Sequence, residues 1–254
     1  GNWAFRNCGF DGELTISNSI DIIENGVFIG CNKLKGHLSI PNSVKCIKSY
    51  AFRYCSNFTG SLIIPENVSC IENSAFHGCF NFDGSLILPN NLSSIGAGAF
   101  YNCFSLIGNL KIPKNVESVG YSAFEKCIGF TKLDILSNLK KIDEDVFSGC
   151  SNLRQSLVIP SSVNYIGDYA FYQCSKLENN LIIPSNVSYI GKYAFYNCSG
   201  FDGTLTLPKN IDAINSGTFY NCDSFHSMLK IPEKVTIIKD KAFYHCSGLY
   251  GHLH

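Results

Sequence analysis

The stretch 181–201, Leu181-Ile182-Ile183-Pro184-Ser185-Asn186-Val187-Ser188-Tyr189-Ile190-Gly191-Lys192-Tyr193-Ala194-Phe195-Tyr196-Asn197-Cys198-Ser199-Gly200-Phe201, decides the fold because it recurs along the chain. Cysteines at 8, 31, 55, 79, 103, 127, 150, 174, 198, 222 and 246 step by 24 residues, with two steps of 23, and each follows a Phe by three positions. A leucine column runs from Leu14 to Leu253 without exception, an Ile or Leu usually stands two residues later, and all eight prolines directly follow that second column. A fixed period of 20 to 50 residues is the signature of a solenoid or array. One copy reads L-x-[IL]-P-x-x-V-x-x-I-x-x-x-A-F-x-x-C-x-x-[LF]-x-G-x.

The Leu-x-Ile alternation sends both side chains to one face of a short strand. Proline ends that strand because it has no N–H to give to a neighbouring ladder. Equivalent strands of successive copies then stack in parallel, and the remainder of each copy supplies the long connection that parallel pairing requires. The expected architecture is an α/β solenoid: a leucine-rich repeat array of about 10–11 coils over 1–254. It carries a parallel β-sheet on one face and short 3₁₀ or turn segments, built from Ala-Phe-x-x-Cys, on the other. Departures are few. Ser17 and Leu136 replace Pro, Val27, Val146 and Thr218 replace Ala, and the copy from Cys127 to Leu133 is one residue short, which predicts a local change of twist near residue 133. The first residue is not Met and the chain starts in mid-coil, so it is expected to be a fragment of a longer array.

These columns resemble the leucine-rich repeat of the Treponema pallidum type, found in BspA-like surface proteins, and the resemblance runs from Phe5 to Leu253. It implies a binding scaffold rather than a chemical one, with cell-surface adhesion or host interaction as the expected role. The alternative is a structural or scaffolding component of an intracellular or filamentous assembly, with end-to-end or lateral self-association.

Composition narrows the partner. Twenty Lys and Arg balance twenty Asp and Glu. Nucleic acid and anionic membranes both select for a basic excess, which is missing here, so neither is expected, and the protein partner is what the resemblance implies. No run approaches the roughly 18 apolar residues of a spanning helix. Nucleotide loops and H-E-x-x-H are absent, and no His stands among carboxylates at a catalytic or metal-binding spacing. Neither catalysis, cofactor nor metal is therefore expected.

The eleven periodic cysteines read as buried free thiols acting as small hydrophobes. Cys46 and Cys70 lie outside that column, at the second position after Val on neighbouring coils, where exposed side chains are expected and the pair is a candidate disulfide. Sequons at Asn57, Asn67, Asn91, Asn186 and Asn197 are candidate N-glycosylation sites.

With the ladders assigned to structure, function falls to the variable columns. The residue between the two inward strand positions faces outward, and there Ile63 with Ile87, and Val158 with Ile182, would form two exposed apolar pairs. Tyr165 with Tyr189, Tyr169 with Tyr193, and Tyr172, Tyr196, Tyr220 and Tyr244 align column by column. Tyrosine offers large contact area at low entropic cost, so these columns are candidate partner-binding residues.

Overall fold

A computed structural model describes residues 1–251, so Leu253 and its neighbours His252 and His254 lie outside the described residues. The chain winds as a solenoid of about ten coils in which every strand pairs in parallel with its equivalent one coil away. The register is set by the period: Cys46 faces Cys70, Ile71 faces Ile95 and Leu62 faces Leu86.

The longest ladder comes from the Val-x-x-Ile segment rather than from Leu-x-Ile. Ile22–Ile23, Cys46–Ile47, Cys70–Ile71, Ser94–Ile95 and Ser118–Val119 form a five-stranded sheet, and Lys141–Ile142, Tyr165–Ile166 and Tyr189–Ile190 form a three-stranded one. The Leu-x-Ile segments pair two at a time, as Leu62–Ile63 with Leu86–Ile87 and Leu181–Ile182 with Leu205–Thr206. Between Val119 and Lys141 the Val-x-x-Ile ladder is interrupted. There the shortened copy puts a bulge between Phe130 and Lys132, in the longest pairing of the chain, Gly108–Ile112 with Phe130–Ile135. A missing residue on one coil leaves one pair out of step, which the bulge absorbs.

The expected 3₁₀ segment does not form: the described residues contain no helix of any kind. Backbone conformation is the cause. In each coil the residue before the small residue and the residue before Cys adopt left-handed φ, such as Tyr50 at 61° and Tyr54 at 61°, or Tyr193 at 55° and Asn197 at 58°. Only three residues separate them, too few for a helical run. The segment bends into a turn and bonds sideways instead, with Tyr50, Phe52 and Tyr54 donating their N–H groups to Asn73, Ala75 and His77 at 2.8 to 2.9 Å. L-residues disfavour this φ by roughly 1–2 kcal/mol. Glycine takes the position without that cost at Gly26 and Gly217, where the space of its missing Cβ is filled by the Trp3 and Tyr193 rings of the preceding coil.

The core consists of ladders. Eleven Phe rings from Phe5 to Phe243 stack in one column at 5.3 to 5.9 Å between centroids, the widest gap being Phe124–Phe147 beside the shortened copy. Next to it runs the thiol column. From Cys31 to Cys246, each Sγ lies 2.8 to 3.2 Å from the carbonyl oxygen of the Phe one coil earlier and donates to it. Cys therefore recurs because it is small and apolar and still satisfies a buried carbonyl, which Ala or Val would leave with one bond fewer.

Candidate functional site

A second polar ladder accounts for an asparagine column two residues after Pro. Asn67, Asn91, Asn115, Asn186 and Asn210 each donate Nδ2–H to a backbone carbonyl one coil earlier, at 2.7 to 3.0 Å. Three of these are sequon residues and two are not, so the coil-to-coil bond is sufficient reason for the Asn. The sequon Asn57 makes a similar bond to the Asn32 carbonyl, and Asn197 accepts from Asn221 Nδ2. A glycan on any of the four donors would leave this bond to the single hydrogen remaining on the amide. The recurrence of Asn at one phase of the period was visible in the sequence, but its partner one coil away was not.

The outward apolar residues are exposed, with Ile63 at 57%, Ile87 at 49%, Val158 at 71% and Ile182 at 57%. Ile63 and Ile87 face each other in register. Val158 and Ile182 do not pair, because Val158 lies outside the strands and the local bridge is Ser156 with Glu178.

The tyrosines come together more closely than any other candidates. Tyr165 stacks on Tyr189 at 4.9 Å and Tyr169 on Tyr193 at 5.2 Å. Tyr172, Tyr196, Tyr220 and Tyr244 continue as one stack at 4.7 to 4.8 Å. The two turn columns also meet, since Tyr169 meets Tyr172, and Tyr193 meets Tyr196, edge to face at 5.6 and 5.8 Å. Because the rings lie face on face, their π faces are spent on one another. What they offer a partner is a corrugated strip of ring edges, with the coil-to-coil repeat set by strand spacing.

Carboxylates border this strip. Asp168 accepts from the Tyr189 hydroxyl at 3.3 Å and from the Lys192 N–H at 2.8 Å. Burial, with Asp168, Asp143 and Glu144 nearby, raises the Tyr165 phenol, and burial with Asp168 likewise raises Tyr189, so both stay neutral hydroxyls. Asp145 is pushed up to about 6, first by burial and then by Glu125, with Glu144 and Asp168 adding to it against the opposing Ser148 hydrogen bond. The folded protein thus holds this proton more tightly than the unfolded chain does. The associated stability is complete below pH 3.8 and is lost as pH rises through about 6. Asp145→Asn is expected to raise the melting temperature at pH 7 and leave it unchanged near pH 3.5. A melting curve lowered at pH 7 would show the carboxylate to be stabilising instead.

Cys46 and Cys70 are joined by a disulfide in the structure. The expectation that both are exposed is corrected: Cys46 is buried and Cys70 half-buried, because each packs on the other and Glu72 lies over them, its Oε1 4.0 Å from Cys46 Sγ. Glu72 also receives Lys48 Nζ at 2.7 Å and the Ser49 N–H and hydroxyl at 3.1 and 3.0 Å.

A parallel solenoid of leucine-rich coils with an aromatic strip along its turns defines a repeat scaffold. The chain belongs to the BspA type leucine rich repeat family, whose repeat region matches residues 1–128, 71–202 and 177–251 in six copies. A leucine-rich repeat protein from Bacteroides ovatus aligns over 91% of this chain and 69% of its own, at 26% identity and a TM-score of 0.57. The leucine-rich repeat protein of T. pallidum aligns over 66% of this chain and 84% of its own, at 26% identity and a TM-score of 0.59. A leucine-rich cell surface protein from Faecalibacterium prausnitzii shares the fold over 98% of this chain and 74% of its own, at 22% identity and a TM-score of 0.50. No curated protein matches significantly. Among the described residues, no helix is long and apolar enough to cross a membrane.

Proposed function

We propose that the protein is a non-enzymatic binding module of the cell surface, serving adhesion or host interaction by docking a protein partner on its tyrosine strip. The carrying observation is the pair of turn columns, Tyr169–Tyr193 and Tyr172–Tyr196–Tyr220–Tyr244, joined edge to face into one surface that is half-buried from Tyr169 to Tyr220 and exposed at Tyr244. Rings held by their neighbours lose little further entropy when a partner arrives, which favours hot-spot behaviour. The bordering carboxylates suit a partner that brings basic or hydrogen-bond-donating groups to the rim. Family membership supports the surface role. The sheet-face pair Ile63 and Ile87, on coils N-terminal to the strip, is a second and smaller exposed apolar contact.

The test is direct because Ser already occupies the left-handed position of Tyr169 and Tyr193 on other coils, at Ser74 and Ser122 with φ of 54°. The double variant Tyr169→Ser/Tyr193→Ser is expected to keep the far-ultraviolet spectrum and melting behaviour of a solenoid. Its saturable binding to intact cells or immobilised extracellular-matrix proteins should fall at least about tenfold, as for loss of a hot spot. Binding equal to that of the parent protein would remove the strip as the docking surface.

A further inference from the structure

We propose that Cys46, Cys70 and Glu72 form a redox-gated site for a thiophilic divalent cation of the Zn²⁺ class, closed as the disulfide and opened by reduction. The three side chains offer two sulfurs and a carboxylate oxygen, all within 4.8 Å of one another. No other group of three His, Cys, Asp or Glu side chains among the described residues could hold an ion. The sequence shows no metal motif because the ligands come from two coils and meet only through the register Cys46↔Cys70.

The geometry suits the chemistry. With Zn–S near 2.3 Å and Zn–O near 2.0–2.2 Å, a tetrahedral ion wants its sulfurs about 3.8 Å apart and its sulfur and oxygen about 3.6 Å apart. The two Cα atoms stand 5.0 Å apart and Cys46 Sγ lies 4.0 Å from Glu72 Oε1, so side-chain rotation alone brings the three donors to those separations. The other carboxylate oxygen is already anchored by the Ser49 N–H and hydroxyl, the kind of outer support that orients a metal ligand. Lys48 Nζ holds Oε1 in the closed state, and its side chain is 31% exposed, so it can turn to water when an ion takes that oxygen. The periodic thiols from Cys31 to Cys246 are no alternative, since each is committed to a Phe carbonyl one coil earlier.

The gating step balances. A dithiol gives two electrons and two protons to the Cys46–Cys70 bond and closes to its own disulfide, and the protein bond breaks to two thiols. The cation then displaces both thiol protons to solvent and binds two thiolates and Glu72, leaving its fourth position to water.

Cadmium serves as probe, because thiolate ligation gives a charge-transfer absorption in the ultraviolet. The full chain is reduced, freed of reductant and titrated with Cd²⁺. One equivalent is expected to saturate the band in the reduced protein, with none in the oxidised protein. The Cys46→Ser/Cys70→Ser variant should fold normally, because Ser94 and Ser118 continue the same ladder, and should give no band. Glu72→Gln should weaken binding by at least about tenfold, in keeping with the loss of a ligand. A band of equal strength in the double Ser variant or in the oxidised protein would overturn the proposal. So would a reduced protein whose two freed thiols react with an alkylating reagent yet bind no cadmium, or undiminished affinity in Glu72→Gln.

Discussion

Replacing Phe124 with alanine is expected to cost about 3–5 kcal/mol and to split unfolding into two transitions. Phe124 is fully buried and its ring stacks on Phe100 at 5.3 Å and on Phe147 at 5.9 Å. Truncation removes both stacking contacts and leaves a ring-sized void that rigid coils on either side cannot close. Position adds to the effect. In a solenoid each coil contacts only its neighbours, so stability is a chain of nearest-neighbour couplings that can be cut at one link. Phe124 sits at the link already weakened by the shortened copy, where the Val-x-x-Ile ladder stops at Val119 and resumes at Lys141. Urea unfolding followed by circular dichroism is expected to show one transition for the parent chain and two for Phe124→Ala. A single transition displaced by less than about 1 kcal/mol would mean that the Phe column is not what couples the halves.

The thiol column should be all but inert in the folded protein. Nine of the eleven free cysteines are buried, and only Cys8 and Cys246 are partly exposed. Burial pushes the Cys103 and Cys150 thiols from 9.0 up to about 12, so each holds about a thousandth of the thiolate it would have in water. Since thiolate is the reactive form, those two should react with a disulfide reagent at least about a thousandfold more slowly than after unfolding, before any protection by burial is added. A native titration without reductant is expected to count two thiols, rising to eleven in guanidinium. Rapid reaction of several more in the native state would show that the column is not packed as described.

The repeat made the coils, their number and the identity of the core legible without coordinates. Every inward column, the Phe and Cys stacks included, follows from one requirement: a coil that touches equivalent coils above and below must present the same apolar residue at the same phase. The outward position of Ile63, Ile87, Val158 and Ile182 follows equally from the period of two. The turn side resisted because its conformation depends on left-handed backbone at two positions per coil, and residues as different as Tyr50, Ser74 and Gly98 occupy one of them. No local propensity marks such a column, because the lateral hydrogen bonds to the next coil impose it.

The same division holds for the proposed docking surface. The leucine-rich solenoid, its regular hydrophobic core, the balance of charge and the phase of the tyrosines all follow from the repeat and the composition. Which way those tyrosines face depends on the winding of the coils, since stacking at about 4.8 Å follows from strand spacing and turns ring edges rather than ring faces outward. The tertiary structure alone also joined Cys46 and Cys70 to Glu72. These residues lie 24 and 26 positions apart in sequence, and nothing but the winding of one coil onto the next brings them within reach of a shared bond or ion.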